Sequence, residues 1–397
     1  MARFVEFATV RRTGGIAGVL AGISGAGFAN AAVSAEIDGG KGAGICAGAI
    51  LAVLVGYALW VCIRPLIRSR DRNFRNALFF LGALWMIKTV AVAFCPGFET
   101  DVGDFEAWAL TIAAGGPARM YHAGFFLDYP PGYLYALWAA GAVAQWIKAS
   151  GATLRVIIET PALASDFALA AVVFSFVRRS GGLLMAWAAM LMVALNPALL
   201  FDTIGWGQAD SSLTLVMLLS VLLMAEAEFE LGWALTALAL LIKPQTLMIL
   251  PVLALWTILR CNVRRWWRPA LAFAAALIVG AGPFQATQRW GWLPDLYLST
   301  AAFYHETSVN AFNFMALLGG LRTNDAGTVL GISYFALGMG LLAPIYAFAA
   351  LILWRNQNTR NLLFATFVVL FGFFMFAPRM HERYLYPAVV FAIPLAI

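Results

Sequence analysis

Charge is what this chain has least of. Only 12% of its 397 residues are Asp, Glu, Lys or Arg, about half the roughly 25% share of an ordinary soluble domain. That shortage excludes a soluble enzyme and a disordered protein. Cysteine is equally sparse. Cys46, Cys62, Cys95 and Cys261 lie in or beside apolar segments with no CxxC or zinc spacing, which excludes a disulfide scaffold and reads as free thiols packed like small hydrophobes. No loop interleaves basic and aromatic residues over a stretch long enough for nucleic acid. No internal repeat or low-complexity linker appears, so residues 1–397 are expected to form a single membrane domain.

What fills the space is apolar. Hydrophobic residues make up 62% of the chain, in runs of about 20 separated by short Arg-rich segments, the pattern of a polytopic helical membrane protein. The net charge of +6 is concentrated in those segments: Arg11 and Arg12, the run Arg64 to Arg75, Arg178 and Arg179, Arg260 to Arg268, Arg355 and Arg360. Placing them in the cytoplasm makes 43–63 end inside and 76–95 cross outward. A first external loop then covers 96–131. Residues 182–201 cross outward to a short turn, 211–225 return, and 269–285 lead to a second external region over 286–327. Residues 328–354 come back, 361–377 reach a last external turn at 378–384, and 385–397 re-enter. That final run is too short for a span, so a C-terminal portion is expected to be missing.

Two places resist simple alternation. Between 131 outside and Arg178 inside the number of crossings must be odd, yet 133–148 and 161–177 are both apolar, so either one is re-entrant or incompletely spanning or Arg178 breaks the rule. The 29-residue run 231–259 is interrupted by Lys243 and Pro244 between flanks that both look cytoplasmic, which predicts two short helices meeting at Lys243. Such a break at membrane depth is tolerated only where it lines protein or a watery cavity. Residues 13–35 read either as a weak first span pairing with 43–63 or as a cleaved signal peptide.

This layout gathers the unusual chemistry on the outside. Ionisable residues at membrane depth are costly and are candidates for function. Asp101 and Asp104 are three apart and share a face if helical. A carboxylate near the membrane surface can take a proton from a hydroxyl, and an acid pair at a solvated helix N-terminus is the plain alternative. An interfacial helix is expected to follow at Trp108. Asp128, Tyr129, Pro130 and Pro131 precede the next helix; the prolines set its entry, while Asp128 is either a cap or a second carboxylate of the site. The turn Trp206-Gly-Gln208-Ala-Asp210 carries more polarity than a minimal connector needs, although Asp210 could simply cap the next helix. Lys243, with Gln245 beside it, must find a carboxylate, a carbonyl or a ligand anion. Arg379, His381, Glu382 and Arg383 suit a phosphate, since guanidinium offers paired donors to its oxygens; a surface charge cluster is the alternative. His305 and Asn310 form a weaker supporting pair.

Taken in order, Asp104-Phe-Glu-Ala, Leu127-Asp-Tyr-Pro-Pro, Asn196-Pro-Ala-Leu-Leu with Gly205-Trp-Gly-Gln, Ile242-Lys-Pro-Gln and Met380-His-Glu-Arg resemble the GT-C glycosyltransferases. These are the membrane enzymes that use polyprenyl-phosphate sugars, and the set is most similar to the glucosyltransferases extending the lipid-linked N-glycan precursor and their bacterial relatives. The resemblance implies an all-α transmembrane bundle and inverting transfer of a hexose, glucose or mannose, to an acceptor hydroxyl on a lipid-linked glycan or similar molecule. It implies Asp104 as the base, with Lys243, Gln245, Arg379, His381 and Arg383 toward the donor phosphate. Asp101, Asp128, Tyr129, Trp206, Gln208 and Asp210 would orient sugar or acceptor, with Glu382, His305 and Asn310 in support. No cofactor is expected; the acids permit a divalent ion without calling for one. A bacterial inner membrane with the site on the periplasmic or extracellular side is the implied location. A transporter or flippase for lipid-linked sugars, or a non-catalytic binding subunit, would use the same phosphate cluster.

Overall fold

The structure is a computed structural model that describes residues 29–122 and 124–396, with side chains from residue 40 onward. Among the described residues the chain is mostly helical, and seven helical segments are long and apolar enough to cross a membrane. Helix α1 (Ala29–Arg68) leads into α2 (Arg72–Phe94) across a tight turn. Asp71 caps α2 by accepting from the Asn73 and Phe74 amides at 2.8 and 3.2 Å, the usual remedy for orphan N–H groups at a helix start. Helix α1 runs unbroken through 35–43, where a hairpin between 13–35 and 43–63 would have turned; the rest of that expected first span lies outside the described residues.

The first long loop is larger than its expected 96–131 extent, because two helices fill it. Helix α3 (Glu99–Gly115) and α4 (Pro131–Trp146) pack on one another, with Gly141 of α4 directly on the backbone of Ala109. Sixteen residues reach only about 24 Å at 1.5 Å per residue, short of a roughly 30 Å hydrocarbon layer. Helix α4 also lies along α3, with Gln145 donating to the Leu110 carbonyl, and so reads as the segment that does not cross. The single crossing falls to α5 (Gly151–Ser180), ten residues longer at its start than the apolar run 161–177 suggested.

Helix α6 (Gly182–Ala194) continues through one turn, Pro197–Leu200, into a π-helical turn, Phe201–Trp206. The chain then reverses at Gly207 into α7 (Asp210–Ala225). Gly207 has φ +83°, and a Cβ there would also strike Val102 and Glu159, so both the conformation and the packing require glycine. Helix α7 is the central post of the bundle, buried from Asp210 through Met224. Helix α8 (Phe229–Ile242) climbs beside it and stops at Lys243, whose backbone is extended at φ −151°. A 3₁₀ turn, Pro244–Ile249, and α9 (Leu250–Arg260) return, as the break predicted. Gly132, in the first turn of α4, lies against this point: a Cβ there would come within 2.7 Å of the Leu241 carbonyl carbon.

Helix α10 (Trp267–Ala281) leads to the second loop, which holds α11 (Trp292–Phe303) and short strands. Strand β1 (Ser308–Val309) pairs in parallel with β4 (Met380–His381), while β2 (Thr328–Val329) and β3 (Ile332–Ser333) form a hairpin. The β1–β4 ladder fastens the second loop to the turn between α13 (Thr359–Phe376) and α14 (Tyr386–Ala396); α12 (Tyr334–Arg355) precedes α13. Both loops and the Lys243 break thereby meet at one end of the bundle, opposite the arginine-rich turns.

Candidate active site

At the loop-covered end, five separate stretches of chain bring polar side chains together. Asp101, on the first turn of α3, accepts at Oδ2 from the Trp206 indole and from the Gln208 amide, both at 2.6 Å. An Arg383 Nη1 stands 3.7 Å from the same oxygen. The other end of Gln208 is also fixed: its Oε1 accepts from the Tyr129 hydroxyl at 3.1 Å and from Lys243 at 3.3 Å. Lys243 in turn donates to Asp210 Oδ1 at 2.8 Å and lies 5.3 Å over the Tyr129 ring. Asp101, Tyr129, Trp206, Gln208, Asp210, Lys243 and Arg383 are thus one connected network, as their sequence placement led one to expect.

The π-helical turn is held for this purpose. Gly207 and Gln208 both donate their amides to the Asp202 carbonyl, Phe98 stacks on Trp206 with centroids 4.8 Å apart, and Arg155 donates to the Ile204 carbonyl at 3.1 Å. A π-bulge re-aims side chains that an α-helix would direct elsewhere. Here it turns Trp206 and Gln208 toward α3. The carboxylate of Asp202 is buried in this turn with neither oxygen partnered.

A second group borders the network. Tyr304 of the second loop donates to Asp128 Oδ2 at 2.7 Å, so Asp128 ties the two long loops together and does not cap α4. Burial pushes the Asp128 carboxyl up, and the Tyr304 hydroxyl draws it partly back. His381 sits between the rings of Tyr304 and Tyr384, at 5.7 and 5.2 Å. Burial first, and then the charges of Arg383 and Lys243, push His381 down to about 3. It is neutral across the physiological range and offers one N–H. A pH prediction follows. The unfolded chain binds this proton near 6.5 and the folded site refuses it until about 3, so acidification below 6.5 favours unfolding. Melting temperatures measured in detergent between pH 7 and 4.5 should fall, and the fall should be shallower for His381→Gln; parallel curves would contradict this placement of the imidazole.

Several expected site residues stand elsewhere or differently employed. Lys243 does not present a free ammonium to a ligand: it is 3% exposed and neutralised by Asp210, because no isolated cation is tolerated at that depth. Arg379 is outside the network. Its Nε donates to Asp325 at 2.7 Å and its Nη1 to the Ala301 carbonyl at 2.6 Å, which ties the second loop together. His305 is exposed and contacts the Phe303 carbonyl, and Asn310 accepts from Arg322 at 2.7 Å; neither touches the network. Gln245 and Glu382 border the cluster in sequence, each with one buried side-chain oxygen unpartnered. Asp104 is half-buried, one helical turn beyond Asp101.

Other charges were not anticipated. Arg155 and Glu159 form a buried ion pair at 2.6 Å, and Asp166, two turns further along α5, pairs with Lys88 at 3.2 Å while accepting from Tyr386 at 2.7 Å. Lys88 is thereby held in a buried ion pair with Asp166 rather than reaching to the surface. The spacing 155, 159, 166 puts all three on one helix face, a signal visible in the sequence once the helix is started at Gly151. Among the described residues no cluster of three or more His, Cys, Asp or Glu is arranged to hold a metal.

No protein-family model and no curated protein matches the chain. Among solved structures, ArnT from Cupriavidus metallidurans in the apo state shares its fold with a TM-score of 0.54 at 17% identity. The alignment covers 80% of this chain and 58% of that one, so the chain spans little more than half the length of the protein it resembles. The all-α polytopic membrane fold that the ordered motifs implied is therefore one this chain shares with ArnT.

Proposed function

We propose that this protein is a glycosyltransferase that moves a sugar from a polyprenyl-phosphate donor to an acceptor hydroxyl at the outer face of the membrane. The observation that carries this reading is the convergence of both long loops, the 206–210 turn, the Lys243 break and the 383–384 turn on one partly enclosed polar network. ArnT has this fold, and the motif resemblance of the present chain favours a hexose as the sugar.

The division of labour follows the motif resemblance and the contacts of each carboxylate. Asp101 accepts two hydrogen bonds at one oxygen and faces Arg383 at 3.7 Å, so it is an anchor for the loop. Asp104, one turn further along the same helix, takes the role that the resemblance implies and accepts the proton of the attacking hydroxyl. That hydroxyl attacks the anomeric carbon opposite the phosphate; the carbon–oxygen bond to the phosphate breaks and the lipid phosphate leaves with the electron pair. Arg383 is the cation best suited to the leaving charge. It is stacked on Trp206 and Tyr384 at 6.0 and 5.8 Å, and its buried Nε has no acceptor. Donors set in advance where charge develops, away from bulk water, are the strongest electrostatic contribution an enzyme makes. Lys243 acts through Gln208, as a positioning residue. Asp128 and Tyr304 border the space a sugar would take.

The test is incubation of purified protein with a panel of synthetic prenyl-phosphate sugars and an acceptor mixture, scoring free lipid phosphate. Release from one or more members is expected, and Arg383→Gln should lower kcat at least about 100-fold, the scale seen when one such donor is lost. Absence of release from every member, with folded protein, would remove the proposal.

A further inference from the structure

The opposite end of the bundle holds a cavity that the proposed chemistry does not use. It lies among the ends of α1 and α5, the α7–α8 turn and the start of α13, with a volume of about 290 Å³. That is room for about ten waters at roughly 30 Å³ each, just below the ~300 Å³ at which small-molecule pockets begin. Its wall is polar and its floor apolar: Arg64, Arg179, Glu226 and Glu228 stand around Phe176 and Leu222.

Two of these four charges, Arg179 and Glu226, form a pair. It is long at 3.5 Å, with side chains 31% and 62% exposed, and pairs of that kind contribute at most about 1 kcal/mol. Arg64 is half-buried and forms no ion pair among the described residues. The other acids of this end lie outside the cavity lining: Asp71 faces Arg178 at 3.2 Å and Glu230 faces Arg268 at 4.0 Å. Glu226 and Glu228 therefore bring negative charge to the rim of one pocket on an otherwise arginine-rich face.

We infer that this cavity binds a zwitterionic phosphoamine headgroup of the phosphoethanolamine type. A purely anionic ligand would meet as many carboxylates as guanidiniums here, and the exposed arginines 68–75 nearby would suit it better. A phosphate with an ammonium two carbons away uses both signs: guanidinium donors of Arg64 and Arg179 for the phosphate oxygens, and Glu226 and Glu228 for the ammonium. The positive-inside rule puts this end in the cytoplasm, where the headgroup would come from the inner leaflet or from a soluble phosphoamine.

Purified full-length protein in detergent would be titrated with dioleoyl-phosphatidylethanolamine, dioleoyl-phosphatidylglycerol and soluble phosphoethanolamine, with binding read by native mass spectrometry. The ethanolamine lipid should bind about tenfold more tightly than the glycerol lipid, and Arg64→Gln and Glu228→Gln should each remove about that factor, the scale of one charge-assisted contact. Competition by soluble phosphoethanolamine would place recognition in the headgroup alone; no competition, with lipid binding intact, would assign the site to the membrane lipid. Equal binding of the two lipids, or unchanged ethanolamine-lipid binding in the exposed Glu228→Gln variant, overturns the inference even if Arg64→Gln fails to fold.

Discussion

Asp104→Asn should abolish sugar transfer while leaving donor binding in place. A positioned base contributes roughly 10²–10⁴-fold to such a step, and the asparagine keeps the shape and the hydrogen-bonding reach of the side chain while losing its ability to take a proton. Single-turnover release of lipid phosphate would measure the first quantity and equilibrium binding of a non-reactive donor analogue the second. Asp101→Asn is the informative contrast. It weakens the anchor shared by Trp206, Gln208 and Arg383, so donor binding and turnover should fall together. Normal turnover by the Asp104 variant would assign the base elsewhere.

Lys243→Ala should be among the most destabilising single changes in the molecule. Asp210, 1% exposed, would be left as a bare carboxylate beside the wholly buried α7, and breaking a buried pair from one side costs about 3–5 kcal/mol. Gln208 would lose a donor at the same time. Replacing both partners, as Lys243→Met with Asp210→Leu, removes the uncompensated charge and should recover most of the melting temperature without recovering activity. This pattern separates the two readings of Lys243. A residue that bound the lipid phosphate would, when mutated, raise KM at unchanged stability, and the double variant would then melt no higher than the single one.

The fold was legible where hydropathy and charge agree. The arginine-rich turns gave the alternation, and Lys243-Pro244 inside a 29-residue apolar run could be satisfied only by a broken helix. The parity of crossings was legible as a contradiction but not as a solution: α4 is as apolar as a span, and its packing along α3 is what sets it apart. The start of α5 was hidden because Arg155 and Glu159 look like loop residues until their i,i+4 spacing is read as an internal ion pair. In the site, residue types announced the cluster, but pairings did not follow from type. Arg379 and Arg383 lie four apart with similar neighbours, yet the left-handed backbone at Arg379, φ +64°, separates them. One guanidinium goes to Asp325 and the other into the network. Which acid holds Lys243 depends on the π-bulge geometry, which no spacing rule supplies.

Gly132 has a mechanical consequence. Because no side chain separates the first turn of α4 from the last of α8, backbone rests on backbone there, with nothing soft between them to absorb a shift. The Tyr129–Pro130 entry and the Lys243 corner must therefore travel in step, like meshed teeth. Whatever lifts the first long loop therefore presses directly on the backbone that carries Lys243.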